Sequence, residues 1–191
     1  MIAKIILPLL ATALSVACLL TGCQSPKALP RSRSSATGPT RNNCYSLLHQ
    51  LLDEQKNVSM LRFIKREHPE VKALINKIAE NCAAGAKLLE EFARHDPSLR
   101  LDDIRLPAGE AATRQAIAST KKRELLGQTG DEFVLTLLLT QTEALSYAWH
   151  LAKIAGESEP QPDRARALAG LSQDIQSLYH EVFVMLLSKS K

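Results

Sequence analysis

Two kinds of residue in this chain have types and spacings suited to chemistry: histidines set at helical intervals from carboxylates, and cysteines. His49 and Asp53 stand four apart, as do Glu91 and His95, a spacing that puts two metal-ligand types on one helix face. Two ligands do not hold an ion, and both pairs sit among other charged residues, so the expectation for each is a solvated face. Glu143 and His150, seven apart, also share a face. A buried Glu143 needs a partner, and the expected one is a polar network with Gln141, Arg114 or Tyr147 that sets helix register; the alternative is a ligand or proton acceptor inside the fold. There is no G-x-S-x-G elbow, no glycine-rich phosphate loop and no H-E-x-x-H, so no catalytic residue, metal or other cofactor is assigned. Lys121-Lys122-Arg123 falls near the end of an expected helix, where positive charge complements the macrodipole. The formal net charge of +4 is small and dispersed, and no nucleic-acid partner is expected.

The four cysteines are Cys18, Cys23, Cys44 and Cys82, with no C-x-x-C among them, which argues against dithiol redox chemistry. Two lie at the N-terminus. After Lys4 the chain is apolar from Ile5 to Leu20, broken only by Pro8, Thr12 and Ser15. A spanning helix needs about 20 apolar residues; this run ends instead in small residues ahead of a cysteine, the grammar of a processed signal. Leu20-Thr21-Gly22-Cys23 resembles the lipobox of bacterial lipoproteins. The resemblance implies cleavage before Cys23, with acyl chains on its sulfur and its new N-terminus, the two or more chains that stable anchoring takes. An ordinary cleaved signal or an uncleaved anchor is the alternative. Gln24 follows; an Asp there would resemble an inner-membrane retention signal, so its absence points to the outer membrane, facing the periplasm.

Residues 24–41 are rich in Ser, Pro, Gly and Thr, with Lys27, Arg31, Arg33 and Arg41 and no acid. Such a stretch lacks the apolar surface to offset ordering entropy, and the expected organisation is a signal peptide over 1–22, a lipidated cysteine and flexible basic linker over 23–41, and a helical domain over 42–191. With Cys18 removed and Cys23 acylated, Cys44 and Cys82 form an even pair in an oxidising compartment, and a disulfide between them is expected. Closing a loop of roughly 40 residues would contribute about 3–4 kcal/mol. Two separate buried thiols are the alternative.

The domain of about 150 residues is large enough for one core. Few aromatics and glycines, with abundant Ala, Leu, Glu, Lys and Gln, argue for helices. Cys44, Leu47, Leu48, Leu51 and Leu52 make a short stripe that fades at Gln55. A second segment opens near Ser59, a potential N-cap. Pro69 kinks or restarts the chain, after which Val71, Leu74, Ile75, Ile78, Cys82, Ala86, Leu89 and Ala93 mark a long amphipathic helix that stops at Asp96-Pro97. Pro107 opens the next, which runs to Leu126 with Gly127 as its stop. Thr129 and Glu132 have capping-box spacing before the apolar run Phe133 to Leu139, in what should be the most buried helix, continuing to Gly156. Pro160 and Pro162 restart a last helix with Leu168, Leu171, Ile175, Leu178, Val182 and Leu186 inward. Short connections favour antiparallel neighbours. An antiparallel four-helix bundle preceded by a short helix is the expected fold.

The helix ending in Phe92-Ala93, the Leu106-Pro107 restart, Leu125-Leu126-Gly127 followed by Gly130-Asp131-Glu132-Phe133, and the helix Leu137 to Leu151 together resemble the ferritin-like four-helix bundles of bacterial envelope proteins. Metal-binding members carry Glu-x-x-His on facing helices; the residues three before the histidines here are Ser46, Lys65, Phe92, Tyr147 and Ser177, so no metal ligand is carried over. The expected function is a membrane-anchored envelope lipoprotein, not an enzyme, with a helical structural or interaction domain. Its partners are the bilayer, through Cys23, and an envelope protein. Alternatives are a ferritin-like periplasmic protein handling metal or oxidants, and an inhibitor or immunity-type envelope protein.

Overall fold

The computed structural model describes residues 33–58 and 68–189, with side chains from residue 38 onward. Cys23, its preceding apolar run and the segment expected to open at Ser59 lie outside the described residues. The described residues are all-α: α1 (Arg33–Gln55), α2 (Pro69–His95), α3 (Ala108–Gly127), α4 (Gly130–Glu157) and α5 (Pro162–Lys189). None of these helices is long and apolar enough to cross a membrane.

Four of the five share one core. Tyr45, Leu48 and Leu52 of α1 meet Ile75, Ile78 and Leu89 of α2, Phe133, Leu137, Leu138 and Leu145 of α4, and Leu168 and Ile175 of α5, all fully buried. The α4–α5 contact is the most extensive. Residues at opposite ends of the helices give their directions. Lys189, at the end of α5, reaches Glu70 at the start of α2 (2.7 Å), and Lys77 reaches Glu181 (2.6 Å); these two helices run in opposite senses. Arg41, early in α1, bonds Ser98 just past α2 (3.0 Å), and Tyr45 bonds Glu159 just past α4 (2.6 Å). α1 therefore runs against both α2 and α4. His68 lies 3.5 Å from Asp131, so α2 and α4 start at the same end.

The helix-forming logic is largely that of the apolar stripes. Val71, Leu74, Ile75, Ile78, Cys82, Ala86 and Leu89 are buried, with Ala93 half-buried. Pro69 starts α2 at its tolerated first position, where its missing N–H costs nothing. Gly85 lets three helices approach: a Cβ there would stand 2.9 Å from Leu171 Cδ1 and 3.0 Å from Leu52 Cδ1.

Four expectations are corrected. The first helix is not short: α1 spans 23 residues and begins at Arg33, so that its first nine residues fall in the expected linker. Composition alone disfavoured helix there, but Asn42 and Asn43 hold the backbone beyond α2, their Oδ1 atoms accepting from the N–H groups of Arg100 (2.7 Å) and Arg105 (3.1 Å). Those contacts stabilise the N-terminal half of α1 in a way no local propensity records. Next, α3 is not a core helix. Leu125 is its single buried residue and the one it adds to the core cluster, so α3 packs against α4 at the edge of the group formed by α1, α2, α4 and α5.

The capping box at Thr129 is absent too. The Thr129 side chain makes no cap bond, Gly130 at φ +58° turns the chain into α4, and Glu132 instead accepts from Gln128 Nε2 at 3.3 Å. Finally, the Cys44–Cys82 disulfide is not formed: both are free, buried thiols. Each occupies its helix's apolar stripe as a small hydrophobe, and burial raises both thiols above their usual range, Cys82 to about 12.

Candidate functional site

The most heavily determined polar feature is a cluster around Glu159, in the turn between α4 and α5. Its side chain is fully buried. One carboxylate oxygen accepts the Tyr45 hydroxyl (2.6 Å). The other accepts the Gln161 backbone N–H (3.0 Å) and the Nε and Nη2 of Arg164 (3.1 and 2.9 Å), with Arg41 Nη1 at 3.8 Å. Arg164 also pairs with Asp96 at the end of α2 (2.9 Å). Asp96 Oδ1 takes Ser98 Oγ–H and N–H at 2.5 and 3.0 Å; these bonds, then Arg164, hold its carboxyl below the usual carboxylate range. Burial and the Glu159 carboxylate raise the Tyr45 phenol well above its ordinary value. A buried carboxylate satisfied by two cations, a hydroxyl and an amide is a high-stakes polar knot. It ties α1, the end of α2 and the α4–α5 turn together. Neither Glu159 nor Tyr45 was singled out from sequence; only Pro160 beside Glu159 was, as part of a helix restart.

At the other end of the fold, α2 and α5 border a groove of about 740 Å³. Ala73, Leu74, Val184 and Met185 supply its apolar lining, and Lys77 and Lys189, each paired with a carboxylate, its charged rim.

The paired histidines separate into three outcomes. His95 Nδ1 lies 2.8 Å from the backbone oxygen of Glu91, a local helix contact. Glu143 and His150 do not come together: Glu143 is exposed and pairs with Lys121 of α3 (3.5 Å), while His150 Nδ1 lies 2.7 Å from Ser146 O. The expected network around a buried Glu143 does not form, because Glu143 faces solvent on α4. Arg114 Nη1 donates to Tyr147 (2.9 Å) and its guanidinium lies 4.8 Å from that ring's centre, so Arg114 and Lys121 dock α3 onto α4. Gln141 is buried apart from these contacts, its Oε1 without a hydrogen-bond partner.

His49 and Asp53, expected on a solvated face, stand part-exposed at the α1–α2 seam, where α2 adds exposed Glu90. His49 Nε2 is 3.3 Å from Glu90 Oε1, and one ligand atom from each of the three lies within 4.8 Å of the others. Lys56 Nζ binds Asp53, and that bond, first among its causes, lowers the Asp53 pKa. Sequence spacing gave the α1 pair; nothing in it marked Glu90, which arrives through tertiary packing alone.

Compared with protein-family models, curated proteins and solved structures, the chain has no match in any of the three.

Proposed function

We propose that the chain is a bacterial envelope lipoprotein, acylated at Cys23, whose helical domain is a non-catalytic structural or interaction module held at the periplasmic face of the outer membrane. The reading is carried by one join. Cys23 closes a lipobox-like Leu20-Thr21-Gly22-Cys23 only ten positions before Arg33, where α1 begins, and α1 is locked to the rest of the domain at Arg41 and Tyr45 by the Glu159 knot. Ten residues reach at most about 35 Å, so a lipid on Cys23 would hold the knotted end of the domain close to the bilayer. Gln24 in place of an Asp supports the outer membrane over the inner.

We also propose a ferritin-like antiparallel four-helix arrangement, formed by α1, α2, α4 and α5. The helix directions support an up-down-down-up order, with the stretch between α2 and α4, carrying α3, as the single long crossover of such bundles. The proposal concerns topology only. The buried residues shared by these helices are overwhelmingly apolar, and Glu159, the one buried carboxylate among the described residues, is already engaged by cations.

Cys23→Ala should abolish incorporation of labelled palmitate and release the protein from the membrane fraction. Continued labelling and membrane fractionation would refute the anchor. Affinity capture from solubilised envelopes should recover a stoichiometric partner, whereas turnover of a small substrate by the purified protein would refute the module.

A further inference from the structure

The trio of His49, Asp53 and Glu90 remains unused by an anchored module, and its geometry carries an independent inference. The His49–Glu90 separation of 3.3 Å is long for an N–H···O hydrogen bond, whose usual length is about 2.9–3.0 Å. It is close to the spacing of about 3.4 Å between two ligand atoms that share one tetrahedral metal with bonds near 2.1 Å. Two of the three residues come from α1 at i, i+4, and the third from α2, so packing of the seam sets the His49–Glu90 distance.

Half-exposed Glu90 and Asp53 leave room for water to complete a coordination shell, while His49 is about one-fifth exposed and better fixed. Asp53 offers a carboxylate oxygen within 4.8 Å of ligand atoms of the other two, and Lys56 is the cation now bound to it. A cation already attends these carboxylates, since the Lys56 ammonium binds Asp53 directly and interacts electrostatically with Glu90. One imidazole and two carboxylates suit a divalent first-row transition ion rather than Ca²⁺ or Mg²⁺, which prefer all-oxygen shells.

We propose that His49, Asp53 and Glu90 form a surface site for a divalent transition-metal ion that bridges α1 and α2, with Lys56 as the competing cation that the metal displaces. The proposal is independent of the lipid anchor and of the ferritin-like topology, whose metal centres lie inside the bundle.

The test is a competition titration of the full chain in detergent with Zn²⁺, against a chromophoric chelator. One equivalent should bind at this site. Glu90→Gln keeps the shape of an exposed residue but removes the carboxylate; it and His49→Ala should each weaken binding by about tenfold or more, since even loss of an outer-shell partner costs 10–100-fold. Lys56→Ala should tighten binding several-fold by removing the competitor, an effect with no counterpart in nonspecific adsorption. Unchanged helicity by circular dichroism qualifies each variant, and Glu90→Gln serves alone if His49→Ala fails to fold. A Co²⁺-loaded sample should lack the intense near-ultraviolet band of a thiolate ligand. Affinity that stays within twofold across Glu90→Gln and Lys56→Ala, absence of binding below millimolar Zn²⁺, or a cobalt–thiolate band that accounts for the bound equivalent would each overturn the site.

Discussion

Replacing Glu159 with alanine removes the centre of the polar knot, and the cost follows from what is left behind. Four hydrogen bonds of 2.6–3.1 Å disappear, from Tyr45, Gln161 N–H and two nitrogens of Arg164. The stranded groups matter more than the lost bonds, because Arg164 and Arg41 are about 15% exposed and stay largely desolvated. Loss of one partner from a buried ion pair typically costs about 3–5 kcal/mol. Arg164 keeps Asp96 at 2.9 Å and Arg41 keeps Ser98 at 3.0 Å, which places Glu159→Ala near the lower bound, about 3 kcal/mol. For a domain of this size each kcal/mol shifts Tm by roughly 2–4 °C, so the melting temperature should fall by about 10 °C. Tyr45→Phe removes only one bond to a carboxylate that keeps its other donors, and should cost about 1–2 kcal/mol. In a double-mutant cycle with Glu159→Gln the two sites should couple by more than about 0.5 kcal/mol, as neighbours in one network do. Urea denaturation followed by circular dichroism gives these values, and hydrogen exchange should locate the early loss of protection in α1 around Arg41 to Ser46. If Glu159→Ala costs under about 1 kcal/mol, the cluster is a solvated rim and not a knot, and the argument for a locked α1 fails with it.

The remaining predictions concern packing and thiols. Gly85→Val should destabilise by about 1–3 kcal/mol, measured by urea denaturation, because even a Cβ there meets the Leu171 and Leu52 methyls within about 3 Å. Cys44 and Cys82 should each resist a thiol reagent in the native protein and react on unfolding without prior reduction; failure to recover two thiols from denatured, unreduced protein, Cys23 aside, would restore the disulfide. Burial raises the Cys82 thiol from 9.0 to about 12, so above pH 9 the unfolded chain loses this proton while the folded chain keeps it. The stability that this thiol contributes is thus present below pH 9 and lost progressively towards pH 12, and thermal melts across that window should show a shallower decline for Cys82→Ala. Gly130→Ala, which forces a Cβ to φ +58°, should lower stability by about 1 kcal/mol or more, read from the shift in urea midpoint.

The sequence by itself determined the all-helical class, because a 3.6-residue apolar period such as Val71-Leu74-Ile75-Ile78-Cys82 is a local property that only a helix buries on one side. It likewise marked Pro69 as a kink or restart, Pro160 and Pro162 as a restart and Gly127 as a stop, where backbone chemistry acts within a turn or two; the structure makes Pro69 and Pro162 the helix starts. It did not determine which four helices share the core. The stripe of α1 was legible from Cys44 to Leu52, but not the helix over 33–43, whose Ser, Gly, Pro and Thr have poor intrinsic propensity. At its end Arg41, Asn42 and Asn43 meet Ser98 Oγ, the Arg100 and Arg105 N–H groups and Glu159, contacts separated by 57 or more positions. The same distinction runs through the sites. His49 and Asp53 were visible as a one-turn pair, whereas Glu90 lies 41 residues from His49 and reaches it only through the packing of α1 on α2. The Tyr45–Glu159 contact spans 114 residues, and at that separation spacing in the chain carries no information about distance; the desolvation that gives Glu159 its weight exists only once four helices have closed around it.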